Sequence, residues 1–270
     1  MTAKPKAGPT GFTLIELPVV ISIVALLISL LLPAIKKVRE TAKTAICLSN
    51  QKQIAMGLIT YSLENCDHFP PSPSWANASL MFEIYNANKC HQWVSPRACI
   101  GVSNGWFGMG LLVDSEIITD PKLFYCPLQP NRWYTYPEGW HAPFGGNIGL
   151  KHWKVSGYQY RVFGQLNPGI TEEDIRFLRE FSAAKHLTPI AMTLDMPYAN
   201  SWSHLSPLGF NVAYSDGHGQ FVHIDNQVYE DCAWYMTRDM AVRDGFMFSL
   251  WKAIDEDDYI GFLQDWPPPM

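Results

Sequence analysis

Gly11-Phe12-Thr13-Leu14-Ile15-Glu16, followed by LPVVISIVALLISLLL over residues 17–32, decides how the rest of this chain must be organised. The stretch joins a small residue, a lone carboxylate and a run without charge from Leu17 to Ile35. Such a run approaches the roughly 20 residues that an α-helix needs to cross a bilayer core, so it predicts a membrane-spanning helix. A short leader with Lys4 and Lys6 lies ahead of it. A secretory signal places its small-residue cleavage site after the apolar run. Here the small residue comes first, and cutting at Gly11 leaves the apolar segment on the mature chain.

Glu16 is the costly residue of the stretch, because a carboxylate at the edge of an apolar helix is expensive and by default functional. Basic residues stand on both sides of the run, Lys4 and Lys6 before it and Lys36, Lys37, Arg39 and Lys43 after it, with Glu40 in partial balance. Loop charge therefore does not set the orientation. Pro33 predicts a kink near the membrane exit, whereas Pro18 falls in the first turns, where its missing N–H costs little.

A basic leader, a glycine, the Phe-Thr-Leu-Ile-Glu junction and an apolar helix in this order resemble type IV prepilins and type II secretion pseudopilins. The resemblance implies a leader over residues 1–11, a transmembrane and filament-core helix over 12–35, an amphipathic stem over 36–63 and an exported head over 64–270. It implies that a prepilin peptidase cuts between Gly11 and Phe12 and that the new Phe12 amine is methylated. Glu16, fifth in the mature chain, would pair in the membrane with that amine on a neighbouring subunit and so fix the axial register. The leader would face the cytoplasm, and the head would lie in the periplasm or outside the cell on a single-pass anchor in the inner membrane. The implied partners are prepilin peptidase, other pilin or pseudopilin subunits and membrane lipid. A head this large suits a minor or tip-like structural subunit rather than a major one, and no enzymatic activity is expected.

From Ala34 to Leu63 the pattern stays helical. Ile35, Val38, Ala42, Ala45, Ser49, Lys52, Met56, Ile59 and Leu63 recur at spacings of three and four, and Leu48, Ala55 and Leu58 widen the stripe. This stripe predicts the face that packs on the head. Phe-Pro-Pro-Ser-Pro-Ser over 69–74 ends the stem.

In the head, Gly157–Gly164 and Pro189–Leu194 read as short strands. Phe210–Tyr214 and Gln220–Ile224 flank Ser-Asp-Gly-His-Gly, a β-hairpin signal with an Asp-Gly turn. Thr171–Ala184 reads as a helix, with Glu172, Glu173 and Asp174 near its start and Arg176 and Arg179 later, as the helix dipole favours. Ala233–Leu263 mixes helical spacing with an acidic stretch at Asp255–Asp258. The expected class is α+β and pilin-like: a long N-terminal helix packed on an antiparallel sheet, with insertions.

Three head and stem segments resemble a large subgroup of pseudopilin-like proteins found in planctomycetes and their relatives. Cys47-Leu-Ser-Asn50-Gln-Lys-Gln53-Ile is similar to their Cys-x-x-Asn-x-x-Gln, and Leu123-Phe-Tyr-Cys126-Pro127 to their Phe-x-Cys-Pro. Asn211 to Phe221 resembles their closing Asn-x-x-x-x-Asp-Gly-His hairpin, which has a histidine upstream. Here that histidine is His204, with eleven residues between it and Asp216.

Composition narrows the chemistry. Of 270 residues 47% are hydrophobic and 17% charged, as a packed head requires, and the net charge is −5. The head has no lysine or arginine patch to replace phosphate counterions, which argues against nucleic acid as a partner. Six cysteines allow about 15 pairings. Cys90 and Cys99 are the local pair best placed for a disulfide, with buried reduced thiols as the alternative. Cys47 and Cys66, on one helix, would stand roughly 28 Å apart.

No phosphate-binding glycine loop, His-Glu-x-x-His or Cys-x-x-Cys occurs. His204, Asp216 and His218 would be the centre of a metal-dependent hydrolase. Asp216 is better explained as the turn residue, and His218 and His223, five apart on a strand, point to opposite faces. No cofactor and no metal are expected. Calcium, which major pseudopilins often bind, would look to Asp216, Asp255 and Asp257 for oxygen ligands. Ten tryptophans, among them Trp75, Trp93, Trp106, Trp133, Trp140 and Trp153, raise a second reading: a membrane-anchored module whose aromatic head captures extracellular polysaccharide.

Overall fold

The computed structural model describes residues 15–65, 67–70, 83–86, 106–141, 153–161, 189–195, 202–235 and 240–256. The chain divides into two compact units, Met1–Ala42 and Lys43–Met270. Helix α1, Glu16–Glu64, runs through the boundary with Pro33 inside it.

In the first unit every described residue is exposed. Most of the side chains up to Ile35 are apolar, and Leu26 and Leu30 stand 61% and 67% exposed, as does Val38 beyond them at 68%. This helix is long and apolar enough to cross a membrane.

The second unit holds the sheet. β1 (Glu83–Asn86) pairs antiparallel with β2 (Trp153–Val155) as a separate ribbon. The main sheet has five antiparallel strands, β3 (Tyr158–Tyr160), β4 (Ala191–Asp195), β5 (His204–Leu205), β6 (Leu208–Tyr214) and β7 (Gly219–His223). β6 is central, pairing with β4, β5 and β7. The fold is α+β, and the strand runs expected around 157–164 and 189–194 and the Asp-Gly hairpin of β6 and β7 are all present. Single-turn helices α2 (Leu111–Asp114) and α3 (Glu138–His141) punctuate the connection after β1. The C-terminal region is helical, with α4 (Asn226–Tyr235) and α5 (Met240–Glu256), and α5 packs on β4. The helix expected at Thr171–Ala184 lies outside the described residues.

The hairpin turn shows why its residues are needed. Asp216 Oδ1 accepts the His218 backbone N–H at 3.0 Å, as a turn aspartate should. Gly217 has φ +84, a conformation glycine adopts without cost, and a Cβ there would meet Met56 Sδ at 2.7 Å. The turn thus lies directly on α1.

The stem packs by a different face from the one its apolar pattern predicts. Cys47, Gln51, Ile54, Ala55, Gly57, Leu58 and Ser62 are buried, whereas Met56 and Leu63 are 54% and 73% exposed. Of the predicted stripe only Ala55 and Leu58 are buried; Ala45, Leu48, Ser49, Lys52 and Met56 instead line a surface groove of about 890 Å³ with Ile117 and Leu123. The reason is that the buried face contains polar Gln51 and Ser62, which an apolar count reads as outside. Ile54 and Leu58, wholly buried, each contribute about 1.5–3 kcal/mol on transfer from water. Gln51 is there for its partners.

Candidate functional site

Strand alternation builds one side of the site. On β4, Thr193 and Asp195 share the face opposite Met192 and Leu194, and their bonds go to α1. Gln51 Oε1 accepts the Thr193 hydroxyl at 3.1 Å, while Gln51 Nε2 donates to Asp195 Oδ1 at 3.0 Å. One turn earlier on the same helix face, the Cys47 thiol also reaches Asp195 Oδ1, at 3.0 Å. The other carboxylate oxygen, Oδ2, accepts the Asn211 backbone N–H from β6 at 2.6 Å and lies 2.9 Å from His204 Nε2. These residues are buried to within 2% of complete.

His204, on the two-residue strand β5, supplies the next side. Its Nε2 faces three atoms at once: Asp195 Oδ2, Cys126 Sγ at 3.6 Å and Asn211 Nδ2 at 3.0 Å. Its Nδ1 lies 3.2 Å from Thr44 Oγ1, and its ring meets Phe221 edge-on. Cys126 enters from the segment after a 3-10 turn at Pro121–Phe124. Asn50 of the stem steadies that segment by donating to the Tyr125 carbonyl at 3.2 Å. Tyr158, opposite Asp195 in the register of β3 and β4, donates to the Cys47 carbonyl.

Cys47, Cys126, Asp195 and His204 therefore present two thiols, a carboxylate and an imidazole nitrogen within 4.8 Å of one another, all buried. The electrostatics follow from burial and contact. Burial pushes the Cys47 thiol well up, helped by its bond with Cys126 and by the Asp195 charge. Burial also acts to raise Cys126, but hydrogen bonds with Cys47 and His204 outweigh it and bring that thiol down to about 7. For His204 burial works downward, and the Asp195 charge overrides it, lifting the imidazole to about 10.

The three segments singled out in the sequence meet here. Cys47 and Asn50 come from the first, Cys126 from the second, and Asn211 with the upstream His204 from the third. Asp195, Gln51 and Thr193 had not been singled out. Gln51 lies inside the first segment, yet the residue that segment's pattern marks, Gln53, is exposed and its side chain donates to the Ser49 carbonyl of its own helix.

The hydrolase triad does not assemble. His204 is buried with Asp195, whereas His218 and Asp216 pair with each other at the exposed turn, and His218 stacks on Tyr214. Asp255 is likewise not an open oxygen ligand for calcium. Its carboxylate takes Arg161 Nη1 at 2.7 Å and the Ala191 backbone N–H at 2.8 Å. Asp257, Gly11, Phe12, Cys90 and Cys99 lie outside the described residues, and Glu16 opens α1. Cys47, Cys126 and Cys232 are free and buried. Among the tryptophans, Trp106, Trp133 and Trp140 are half-buried; Lys154 lies over the Trp140 ring and Arg132 over Trp133. Trp75 and Trp93 are not described, nor is the side chain of Trp153. No protein-family model, no curated protein and no solved structure matches the chain, so its function must be argued from the residues and their geometry.

Proposed function

We propose that this chain is a pilin-like structural subunit, a minor component of a type IV pilus or type II secretion pseudopilus, cut after Gly11 and assembled through its N-terminal helix. The observation that supports this reading is the exposure of every described residue from 15 to 42 on a helix with mean hydropathy 2.7 over its most apolar stretch. Exposed apolar side chains in such number call for a second apolar phase. Lipid supplies it before assembly and neighbouring helices supply it afterwards. Phe12 would offer its amine and Glu16 its carboxylate, two groups whose burial in hydrocarbon is tolerable only when they are paired. The anchor crosses the inner membrane once, with the head on the far side from the cytoplasm. The described polar cluster is closed to solvent and links the stem helix to the sheet, which suits a structural part better than a catalytic one.

Co-expression with a prepilin peptidase tests this directly. The N-terminal peptide of the membrane-purified chain should begin at Phe12, with or without one added methyl group. A peptide that retains residues 1–11 under active peptidase would overturn the reading and leave a simple anchored protein.

A further inference from the structure

We propose that Cys47, Cys126, Asp195 and His204 form a closed tetrahedral site for zinc that pins the stem helix to the head. Zinc–sulfur bonds are about 2.3 Å and zinc–nitrogen or –oxygen bonds about 2.0–2.2 Å, so the ligand atoms of a tetrahedral site stand roughly 3.3–3.8 Å apart. The four groups lie within 4.8 Å of one another, and the Cys126 to His204 separation of 3.6 Å is already such an edge. Cys47 Sγ meets Asp195 Oδ1 at 3.0 Å and His204 Nε2 meets Oδ2 at 2.9 Å, so a single carboxylate oxygen would become the ligand and the contact it keeps would open by about half an ångström.

The contacts around Asp195 separate into two kinds. Gln51 Nε2 and the Asn211 backbone N–H are permanent donors that hold the carboxylate from outside. The Cys47 thiol and His204 Nε2 are groups that lose a proton to become ligands, and both face inward. His204 Nε2 has one valence and three polar neighbours, so at most one of those contacts is a hydrogen bond at a time. A cation at the point where the two thiols, the carboxylate and Nε2 converge satisfies those four groups together, and the Asn211 amide then no longer donates to Nε2. The outer shell is also in place. Thr44 takes Nδ1, leaving Nε2 for the metal, and Asn50 fixes the carbonyl next to Cys126. Asn211 Oδ1, a buried atom of the same side chain whose Nδ2 meets His204, has no hydrogen-bond partner among the described residues.

The donor set selects the ion. Thiolates and an imidazole suit zinc, whereas calcium and magnesium prefer oxygen alone. With both thiols ionised the site has net charge −1, the same as a Cys₃His zinc site. Four protein ligands, all buried, leave no position for substrate, which makes the role structural. Binding is ligand exchange: hydrated Zn²⁺ sheds its waters, and the thiol protons and any imidazolium proton pass to buffer. No oxidation state changes.

The full chain, purified in detergent under reducing conditions and dialysed against metal-free buffer after loading with Zn²⁺ or Co²⁺, tests the site. One ion per chain should remain. The Co²⁺ form should show thiolate-to-metal charge transfer and the intense visible bands of tetrahedral coordination. Cys126→Ser and Asp195→Asn should each weaken retention by at least about tenfold, while His218→Ala leaves it unchanged. The wild-type cobalt spectrum needs no variant, so a variant that fails to fold does not blunt the test. A chain that retains no metal after loading while Cys47 and Cys126 are both still reduced overturns the proposal, as does a disulfide mapped to the peptides of Cys47 and Cys126. So does retention that Cys126→Ser does not weaken.

Discussion

The two ends of α1 obey opposite rules. Toward the N-terminus, residues as apolar as Leu26 and Leu30 stand 61% and 67% exposed; toward the C-terminus, Gln51 and Ser62 are completely buried. Hydrophobicity alone would have sorted them the other way. The outer end has side chains that suit any apolar surroundings, and nothing in them specifies a particular partner atom. The inner end has side chains chosen for particular atoms, Asp195 Oδ1 and Thr193 Oγ1 among them. One half of the helix selects a phase and the other half selects an address.

A charge in the outer half should have the largest effect, and only on membrane partition. Leu26→Asp is expected to cost about 2.5–3.5 kcal/mol of insertion, a shift on the order of a hundredfold out of the membrane fraction. The unfolding midpoint of the head, followed by tryptophan fluorescence, should not move. A coupled loss of head stability would erase the contrast between the halves.

Gln51→Leu sharpens the contrast from the other side. It makes the buried face more apolar, yet leaves the Thr193 hydroxyl and one oxygen of Asp195 short of a partner. We expect a loss of about 1–3 kcal/mol in urea unfolding. An unchanged or raised midpoint would mean that the inner half is ordinary core.

The smallest effect is expected at Met56, which the apolar pattern places in the core and the fold places in a surface groove. Met56→Ala should change stability by less than about 0.5 kcal/mol, whereas a true core methionine would lose about 2–5 kcal/mol.

Local features of the fold were legible because their causes are local. The uncharged run makes the helix, the Asp-Gly pair makes the hairpin turn, and short apolar runs make β3 and β4. The site was legible only in pieces. Cys47, Cys126, His204 and Asn211 drew notice in three separate segments, but nothing in the sequence says that they meet. Asp195, which joins them, ends an apolar strand and looks like an ordinary boundary residue. Its bond with Cys47 spans 148 positions and has no local signature. The stem face was misjudged for the same reason, since a periodicity of apolar residues cannot register a glutamine that is buried for its hydrogen bonds.

That same separation sets a clock. Chains are made from the N-terminus at about 5–20 residues per second. Cys47 therefore leaves the ribosome roughly 7–30 seconds before Asp195 exists, given the 148 positions between them. Throughout that interval its thiol lacks the Asp195 acceptor, and Gln51 one turn further on lacks the same carboxylate. Contacts so distant along the chain also form slowly once both ends are present. A cluster that is enclosed in the finished molecule is thus open for seconds during birth, and whatever oxidises or captures a free thiol has that window in which to act.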